Sequence, residues 1–372
     1  MSQKLESSQK HTVCIIDPVG RKAGLDHYND SLAANLNKLG TKTIVYSNYQ
    51  SEYSVKKFPF NFSNSPLFLP GILYSFYSAF KKVKVDRPDF VILHLFKPSD
   101  LLIWFSRKLN SINVRLIFIV HDVESLISER DDESQMRELM TMAEHIVVHN
   151  QYSGDELTRK YEMTAGKVDI IPHGDYLDLP SDISKNEARN KLELKTDAPI
   201  ILFFGMIKPT KGLDVLLKAM QDVDAELIVA GRMRMNSVSD YSTWTDKLTA
   251  EGKLVTDIGY ISNERRDLYF KAADVIVLPY RKIYQSGVLI MALSYQLPVL
   301  ASDLIPNKDF VKDFNAIEFF KCGDHRELSE KLNQLLSDPA RLQFLKENGL
   351  ALIKKNHDWE LISKLFNKII CR

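Results

Sequence analysis

The stretch PIILFFGMIKPTKGLDVLLKAMQDVDAELIVAG, residues 199–231, contains two short apolar runs on either side of an amphipathic segment. PIILFFG (199–205) and ELIVAG (226–231) are almost continuously apolar, which is typical of strands buried on both faces of a parallel sheet. Between them, Leu213, Leu216 and Met220 recur at helical spacing. The stretch therefore predicts a strand, a helix and a second, parallel strand, the unit from which doubly wound α/β domains are built.

The same alternation continues through most of the chain, in two blocks separated by a polar segment at 176–198. We expect two doubly wound, Rossmann-like domains, residues 1–180 and 181–356, and a ligand site in the central cleft that they face. A final helix is predicted within residues 357–372, while residues 1–10 read as a loose tail. Further strands are predicted at 11–16, 41–47, 89–96, 115–121, 145–149 and 168–171 in the first block, and at 253–259, 274–280, 298–302 and 316–320 in the second.

Charge balance and cysteine usage narrow the class of protein. Lys and Arg number 49 against 48 Asp and Glu, so no global charge points to nucleic acid as a partner. Cys14, Cys322 and Cys371 are far apart in the sequence, which fits a reduced cytoplasm better than a disulfide framework or a zinc site. No apolar run approaches the ~18–20 residues that a membrane span needs, so a cytoplasmic protein is predicted.

Four cationic side chains follow predicted strands of the second block. Lys208 and Lys211 come after 199–205, Arg232 comes after 226–231 and Arg281 comes after 274–280. Because the carboxyl ends of parallel strands meet at one edge of a sheet, these charges converge, which is costly unless an anion lies among them. Each cation alone would more commonly be a solvated surface charge, and it is their convergence that favours an anion site.

The stretch YRKIYQSGVLIMALSYQLPV (280–299) contains no Asp or Glu, and the tripeptide Gln285-Ser286-Gly287 stands at the start of an apolar helix that is predicted to run from Gly287 to Gln296. The first N–H groups of a helix are unpaired and its dipole favours negative charge there. We therefore expect the Ser286 hydroxyl and these N–H groups to hold a phosphate. A DxD pair at Asp222 and Asp224 precedes a strand, at the opposite edge of the sheet, so it reads as a turn and no catalytic metal is predicted.

Several motifs, in order, resemble those of the glycosyltransferase family 4 enzymes. They are GMIKPTKGLDVLL (205–217), ADVIVLPY (273–280), LPVLAS (297–302), IPHG (171–174) and the Asp-Trp helix at 358–370, and they cover nearly the whole chain. The resemblance implies a GT-B fold with the nucleotide-sugar donor in the second domain and the acceptor in the first. It also implies retaining transfer without a metal or cofactor, and a closing helix at 357–372 that crosses back to complete the first domain.

The resemblance also implies roles for particular residues. Lys211 would contact the diphosphate of the donor and His121 the transferred sugar, as the two catalytic residues. Gly24 would lie in the loop of the first domain that approaches the donor phosphates. Arg281, with the Ser286 turn, would lie near the diphosphate or the sugar. From that residue alone, a hydrogen-bonded histidine at the end of a strand is the favoured interpretation of His121.

The sequence departs from the family at three positions. Its usual E-x7-E pair falls on Ile283 and Met291, so both carboxylates are missing, and its usual arginine after Gly205 is Met206. A bacterial branch of similar enzymes has a Y-x-x-Y-Q-S-G stretch here, in which Tyr284 and Gln285 supply the missing hydrogen bonds. Lys208 is expected to supply the missing positive charge.

Two functions remain open on these residues. The first is a glycosyltransferase that moves a hexose from a UDP- or GDP-sugar to a glycan or lipid-linked acceptor, in bacterial exopolysaccharide or cell-envelope polysaccharide biosynthesis. The second is a catalytically inactive sugar-nucleotide-binding or scaffold subunit, which the loss of both glutamates favours. A nicotinamide enzyme lacks support because no GxGxxG follows any strand.

The segment GILYSFYSAFKKVK, residues 71–84, combines aromatic side chains with three lysines. A basic, aromatic helix can lie on an anionic membrane, which would place the protein peripherally on the inner face of the cell membrane and suit a lipid-linked acceptor. The competing interpretation is a helix whose aromatic rings fill the core of the domain. The sequence slightly favours this second interpretation.

Overall fold

The computed structural model divides the chain into two compact units. Unit 1 comprises Met1–Gly174 and Trp359–Arg372, and unit 2 comprises Asp175–Asp358. The tail predicted at residues 1–10 lies outside the described residues. The structure describes residues 11–20, 24–58, 68–124, 133–163, 166–194, 197–233 and 241–372.

Unit 1 contains a parallel sheet of seven strands. They are β1 Thr12–Asp17, β2 Lys42–Ser47, β3 Ser54–Lys56, β4 Phe90–Leu95, β5 Arg115–Val120, β6 His145–Val148 and β7 Val168–Ile170. Their order is β3-β2-β1-β4-β5-β6-β7, and every pairing is parallel. The order changes direction between β1 and β4, the point beyond whose carboxyl ends ligands bind in sheets of this kind. Strand β3 escaped prediction because three residues are too few to show a period.

Helices connect these strands. They are α1 Leu25–Lys38, α2 Phe68–Asp86, α3 Asp100–Asn110, α4 Glu133–Met142 and α5 Gln151–Tyr161. Within the described ranges, no helix combines the length and apolar character needed to cross a membrane.

Unit 2 contains a parallel sheet of six strands. They are β8 Ile200–Phe204, β9 Glu226–Gly231, β10 Leu254–Ile258, β11 Val275–Leu278, β12 Val299–Ser302 and β13 Glu318–Phe320, in the order β10-β9-β8-β11-β12-β13. The order changes direction between β8 and β11. The helices are α6 Lys185–Lys191, α7 Leu213–Ala219, α8 Ser242–Ala250, α9 Asn263–Ala272, α10 Gly287–Ser294, α11 Ile305–Phe310, α12 His325–Leu336 and α13 Pro339–Asn356.

The central strand β8 shows why its sequence is continuously apolar. Ile200 and Leu202 point into one buried cluster, and Ile201 and Phe203 into another. Successive side chains of a strand point to opposite faces, so a strand covered on both faces needs apolar residues at every position. The prediction of a buried parallel sheet is confirmed.

The last helix, α14 Trp359–Ile370, packs in unit 1. Its residues Ile362 and Phe366 are buried in one cluster with Leu32 and Leu36 of α1. Spacing at i and i+4 places them on one helical face, as the sequence predicts.

The first boundary between the units falls before the predicted position of 180. The backbone N–H of Asp175 donates to the carbonyl of His357 (2.8 Å), and that of Tyr176 donates to Ser294 Oγ (3.1 Å). The Tyr176 ring is buried in the core of unit 2. Residues 175–180, assigned to the first domain from the sequence, therefore belong to unit 2.

Candidate functional site

In unit 2, the loops that follow β8 and β9 are in close contact. A Cβ on Gly231 would lie 1.8 Å from the carbonyl oxygen of Gly205, and the φ of Gly231 is +148°. Beyond this contact, the N–H of Ile207 donates to the carbonyl of Arg232 (2.9 Å). Only glycine permits this approach, which brings the loop carrying Lys208 beside the one carrying Arg232.

The loop after β8 also packs on the loop after β11. A 3-10 turn, Pro209–Lys211, ends at Gly212, whose φ is +66° and whose Cβ would lie 1.9 Å from the carbonyl oxygen of Pro279. The N–H of Arg281 donates to the carbonyl of Thr210 (2.9 Å). The predicted convergence of these loops at one edge of the sheet is therefore observed.

Lys211 and Lys208 lie at this edge in different surroundings. The Lys211 Nζ lies 3.7 Å from the centroid of the Tyr280 ring, a cation–π contact. Burial raises the pKa of Tyr280 to about 12, so its ring stays neutral beneath the ammonium group. Lys208 is buried, which excludes the interpretation of it as a solvated surface charge, whereas the Arg232 side chain is exposed.

Arg281 has a carboxylate partner that the sequence analysis did not anticipate. Its Nη1 and Nη2 each lie 2.7 Å from an oxygen of Asp214, and Nη1 also donates to the carbonyl of Pro209 (3.0 Å). Hydrogen bonds from Arg281 lower the pKa of Asp214, which in turn raises that of Arg281. Because Asp214 neutralises Arg281, the net positive charge of this edge is smaller than the four cations indicate. A role for Arg281 near the diphosphate stays a prediction.

The turn at Ser286 caps helix α10. The Ser286 side chain accepts a hydrogen bond from the N–H of Leu289 (3.2 Å). At Gly287, a Cβ would lie 3.4 Å from Tyr176 Oη. The helix begins where predicted but ends at Ser294, two residues before 296.

The two positions at which the family usually has glutamates carry apolar residues in this sequence, and their surroundings are apolar as well. Ile283 is buried in the core of unit 2 and Met291 packs against it. Nearby, Tyr284 is buried with the Lys282 Nζ 5.7 Å from its ring centroid. The buried Nε2 of Gln285 has no hydrogen-bond partner among the described residues. An unpaired buried donor costs about 1–3 kcal/mol, which a ligand acceptor would recover.

In unit 1, histidines lie at the carboxyl ends of four adjacent strands. His94 lies near the end of β4, and His121, His149 and His173 follow β5, β6 and β7. The ring centroids of His121 and His149 are 5.3 Å apart, and those of His149 and His173 are 5.4 Å apart. Of these four histidines, only His121 is predicted from the sequence to have a role. The recurrence of histidine at the end of successive predicted strands is the sequence signal for the other three.

His121 is held on two sides. Its ring stacks on Phe96, with centroids 4.3 Å apart and planes 6° from parallel. Its Nε2 lies 2.8 Å from Nδ1 of His94. The interpretation of His121 as a hydrogen-bonded strand-end histidine is therefore correct, and it is compatible with a functional role.

Gly24 precedes α1 in unit 1 with a φ of +71°. No atom lies within 4 Å of the position that a Cβ would occupy, and the residue is exposed. Its conformation explains the glycine, while its place near donor phosphates stays a prediction.

The DxD pair lies at the edge of the unit 2 sheet opposite the cationic loops. Asp222 ends a 3-10 turn and Asp224 is fully exposed, two residues before β9 begins. In the described parts of the chain, no cluster of His, Cys, Asp and Glu has the arrangement of a metal site.

Two glycosyltransferase families match the chain. "Glycosyltransferase Family 4" matches residues 23–175, and "Glycosyl transferases group 1" matches residues 184–352. The two matches fall in different units and together account for most of the sequence.

Individual relatives are more distant. D-inositol 3-phosphate glycosyltransferase 1 of Catenulispora acidiphila is 26% identical over 57% of this chain and 53% of its own length. A GDP-mannose:glycolipid 4-beta-D-mannosyltransferase of Xanthomonas campestris pv. campestris is 29% identical over 40% of this chain and 42% of its own. The chain thus aligns with about half the length of these curated relatives.

Solved structures match over almost the full length. Anabaena Alr3699/HepE in complex with UDP-glucose superposes with a TM-score of 0.76 at 15% identity, covering 96% of this chain and 99% of that one. This likeness shows the fold, which is GT-B, and the family matches confirm the expected enzyme class. The chain has the GT-B fold, and each of its halves matches a glycosyltransferase family model.

Proposed function

We propose that this protein transfers a hexose, with retention, from a UDP- or GDP-sugar to a glycan or lipid-linked acceptor in bacterial exopolysaccharide or cell-envelope polysaccharide biosynthesis. The observation that carries the proposal is a group of hydrogen-bond donors in the loops after β8 and β11, the two strands between which the strand order of unit 2 changes direction. The Lys211 ammonium group lies over the Tyr280 ring, and Lys208, three residues earlier in the sequence, is buried. Helix α10 begins at Gly287, two residues after Gln285, whose Nε2 is buried. These groups suit a diphosphate.

The proposed chemistry needs no enzymatic nucleophile. The acceptor hydroxyl oxygen bonds to C1 of the sugar on the face that the diphosphate oxygen leaves, and the hydroxyl proton passes to the departing diphosphate. Negative charge grows on that diphosphate as the C1–O bond breaks. Lys211, with the first N–H groups of α10, stabilises this charge because the donors are already in place. His121 is assigned to the transferred sugar.

A ligand screen tests the donor. Melting temperatures are measured with UDP, GDP, UDP-glucose and GDP-mannose, since a ligand that binds only the folded state raises the melting temperature. We expect one pair of ligands, either UDP with UDP-glucose or GDP with GDP-mannose, to raise the melting temperature more than the other pair does. If neither series shifts the melting temperature at millimolar concentration, the proposal of a nucleotide-sugar donor is wrong.

The acceptor side of the proposal depends on helix α2. Leu73, Tyr74 and Tyr77 are exposed by 54%, 65% and 46%, whereas Phe76 is buried. The core thus accounts for Phe76 but leaves two aromatic rings in solvent, with the Lys81 Nζ 4.8 Å from the Tyr77 ring centroid. Exposed aromatic and cationic side chains on one helix are typical of a membrane-surface helix, so we propose peripheral binding to the inner face of the cell membrane and a lipid-linked acceptor. The glycolipid mannosyltransferase noted above has such an acceptor by its name.

Liposome co-sedimentation tests this surface. Anionic vesicles should pellet the protein, and the double variant Tyr74→Ser/Tyr77→Ser should pellet several-fold less, with unchanged melting temperature. The control is a neutral vesicle of the same size. Equal pelleting of both proteins on anionic vesicles, or none of either, would rule out α2 as a membrane contact.

A specific observation favours the second candidate, an inactive sugar-nucleotide-binding or scaffold subunit. Ile283 and Met291 lie against the apolar core of unit 2, so neither position offers a polar group to the sugar. Release of free nucleotide from a bound nucleotide sugar, with and without acceptor extracts, separates the two candidates. Binding without release would identify the subunit.

A further inference from the structure

We propose that Asp17, Asn29 and His94 form a directional hydrogen-bond chain that fixes the tautomer of His121, with the proton on Nε2 and the lone pair on Nδ1. This hydrogen-bond chain lies where the strand order of unit 1 changes direction, because Asp17 ends β1 and His94 lies in β4. The part that concerns a bound sugar rests on the function proposed above.

The direction of the chain starts at Asp17. Its Oδ1 accepts hydrogen bonds from the backbone N–H groups of Val19 (2.9 Å) and Gly20 (3.0 Å), which can only donate. Its Oδ2 lies 2.7 Å from Nδ2 of Asn29. Burial raises the pKa of Asp17, while the hydrogen bonds from Gly20, Val19 and Asn29 lower it and favour the ionised form. An ionised carboxylate is an acceptor at both oxygens, so the Asn29 amide then presents its NH₂ group to Asp17.

The orientation of Asn29 then decides the tautomer of His94. With its NH₂ group directed to Asp17, the amide presents Oδ1 to His94 Nε2, at 2.8 Å. That contact is a hydrogen bond only if His94 carries its proton on Nε2. Burial lowers the pKa of His94 to about 3, with a smaller contribution from His149, so the ring is neutral and holds a single proton.

The tautomer of His94 in turn decides that of His121. A neutral His94 protonated on Nε2 has a lone pair on Nδ1, which faces Nε2 of His121 at 2.8 Å. Nε2 of His121 must therefore be the donor, and Nδ1 of a neutral His121 is an acceptor. In this tautomer Nδ1 can accept a hydrogen bond but cannot donate one.

The packing around the chain gives it a fixed geometry. Asn29 is fully buried within α1, where an apolar residue would pack without the need for polar partners. The Tyr28 ring meets His94 edge-on, with centroids 5.4 Å apart, and Phe96 stacks on His121. We infer that Asn29 and His94 are positioning residues, which act on a ligand only through His121.

Nitrogen-15 NMR of the full-length protein labelled at histidine tests the chain without any ligand, because protonated and unprotonated ring nitrogens have distinct shifts. His121→Gln identifies the His121 signals by their loss. We expect wild-type His121 at neutral pH to be protonated on Nε2. Protonation on Nδ1 would overturn the proposal, because the chain would then run in the opposite direction from a protonated Asp17. The direction is read from the wild-type spectrum, and His121→Asn serves for the assignment if His121→Gln fails to fold.

Variants test the causal link. His94→Phe keeps a ring but removes both nitrogens, and we expect His121 to lose its single tautomer. His94→Gln should restore it, because an amide offers one acceptor and one donor. The matched control is His149→Phe, which changes a neighbouring ring outside the chain and should leave the His121 tautomer intact. An unchanged tautomer in folded His94→Phe would show that the chain has no such effect.

A kinetic measurement connects the chain to the proposed function. With the donor found in the ligand screen, His94→Phe should reduce turnover by about 10- to 100-fold, and His94→Gln should recover most of it. Wild-type turnover in His94→Phe would refute the positioning role. If the wild-type protein neither binds nor turns over any nucleotide sugar, the proposed function is wrong. The tautomer of His121 is then still decided by the NMR spectra alone.

Discussion

The order of the strands reverses at equivalent points in the two sheets, between β1 and β4 in unit 1 and between β8 and β11 in unit 2, yet the side chains there differ in kind. In unit 2 the point is surrounded by lysines, an Arg281–Asp214 ion pair and the start of α10. In unit 1 it is surrounded by the buried Asp17 carboxyl group, the Asn29 amide and imidazole rings packed on aromatic rings. One topology thus places charged side chains at this point in one unit and buried polar side chains on aromatic rings in the other, which matches the proposed division between a diphosphate and a sugar.

The largest expected effect tests the charged site. Lys211→Ala should lower turnover about 10²–10³-fold, because removing one preorganised donor from a developing anion has that effect in other enzymes. The matched control is Lys218→Ala, which removes a similar lysine–aromatic contact, 4.8 Å from the Trp244 ring, on α7. Normal turnover by Lys211→Ala, measured by nucleotide release, would remove the basis for the contrast between the two sites.

The next prediction tests what holds the charged site together. Gly212→Ala should destabilise unit 2 by about 2–3 kcal/mol, through left-handed strain and the contact with the Pro279 carbonyl. Gly40→Ala is the control, because its φ is +88° but nothing lies within 4 Å of its Cβ position. Denaturant unfolding measures the free energy of unfolding of both variants. Gly40→Ala reports the cost of left-handed strain alone, and the additional loss in Gly212→Ala reports the overlap with the Pro279 carbonyl. Equal losses would show that the contact between the two loops is dispensable.

Gln285→Leu should separate binding from stability. Removing a buried amide donor that lacks a partner should leave the free energy of unfolding unchanged or raise it by about 1 kcal/mol. If the amide donates to the nucleotide sugar, the dissociation constant should rise about tenfold. Calorimetric titration and thermal unfolding measure the two effects. Unaltered affinity would remove Gln285 from the proposed donor site.

The smallest expected effect concerns the Arg281–Asp214 pair, whose partly exposed charges should couple by no more than about 1 kcal/mol. Because Arg281 lowers the pKa of Asp214 below its usual 3.8, the pair stabilises the fold above that pH and loses its effect as the pH falls through the lowered value. The stability difference between wild type and Asp214→Asn should therefore be constant from neutral pH to about pH 5 and shrink below about pH 4. A difference that grows on acidification would contradict this coupling.

The sequence predicted the strands of both sheets except the three-residue β3, because strands covered on both faces must be apolar at every position, and this leaves a visible pattern. It also predicted which loops of unit 2 meet, since the carboxyl ends of parallel strands share an edge. It did not predict Asp214 as the partner of Arg281, because ion pairing depends on side-chain reach across two loops. Nor did it reveal Asn29, which looks like any polar residue of an amphipathic helix until its burial is known.

The packing of α14 in unit 1 has a consequence for synthesis of the protein. The hydrophobic core that α14 completes includes residues of β1 and α1, while all of unit 2 lies between them in the chain. All of unit 2 is therefore synthesised before the helix that completes the core of unit 1, so unit 1 cannot complete its fold as an N-terminal domain during translation in the usual way.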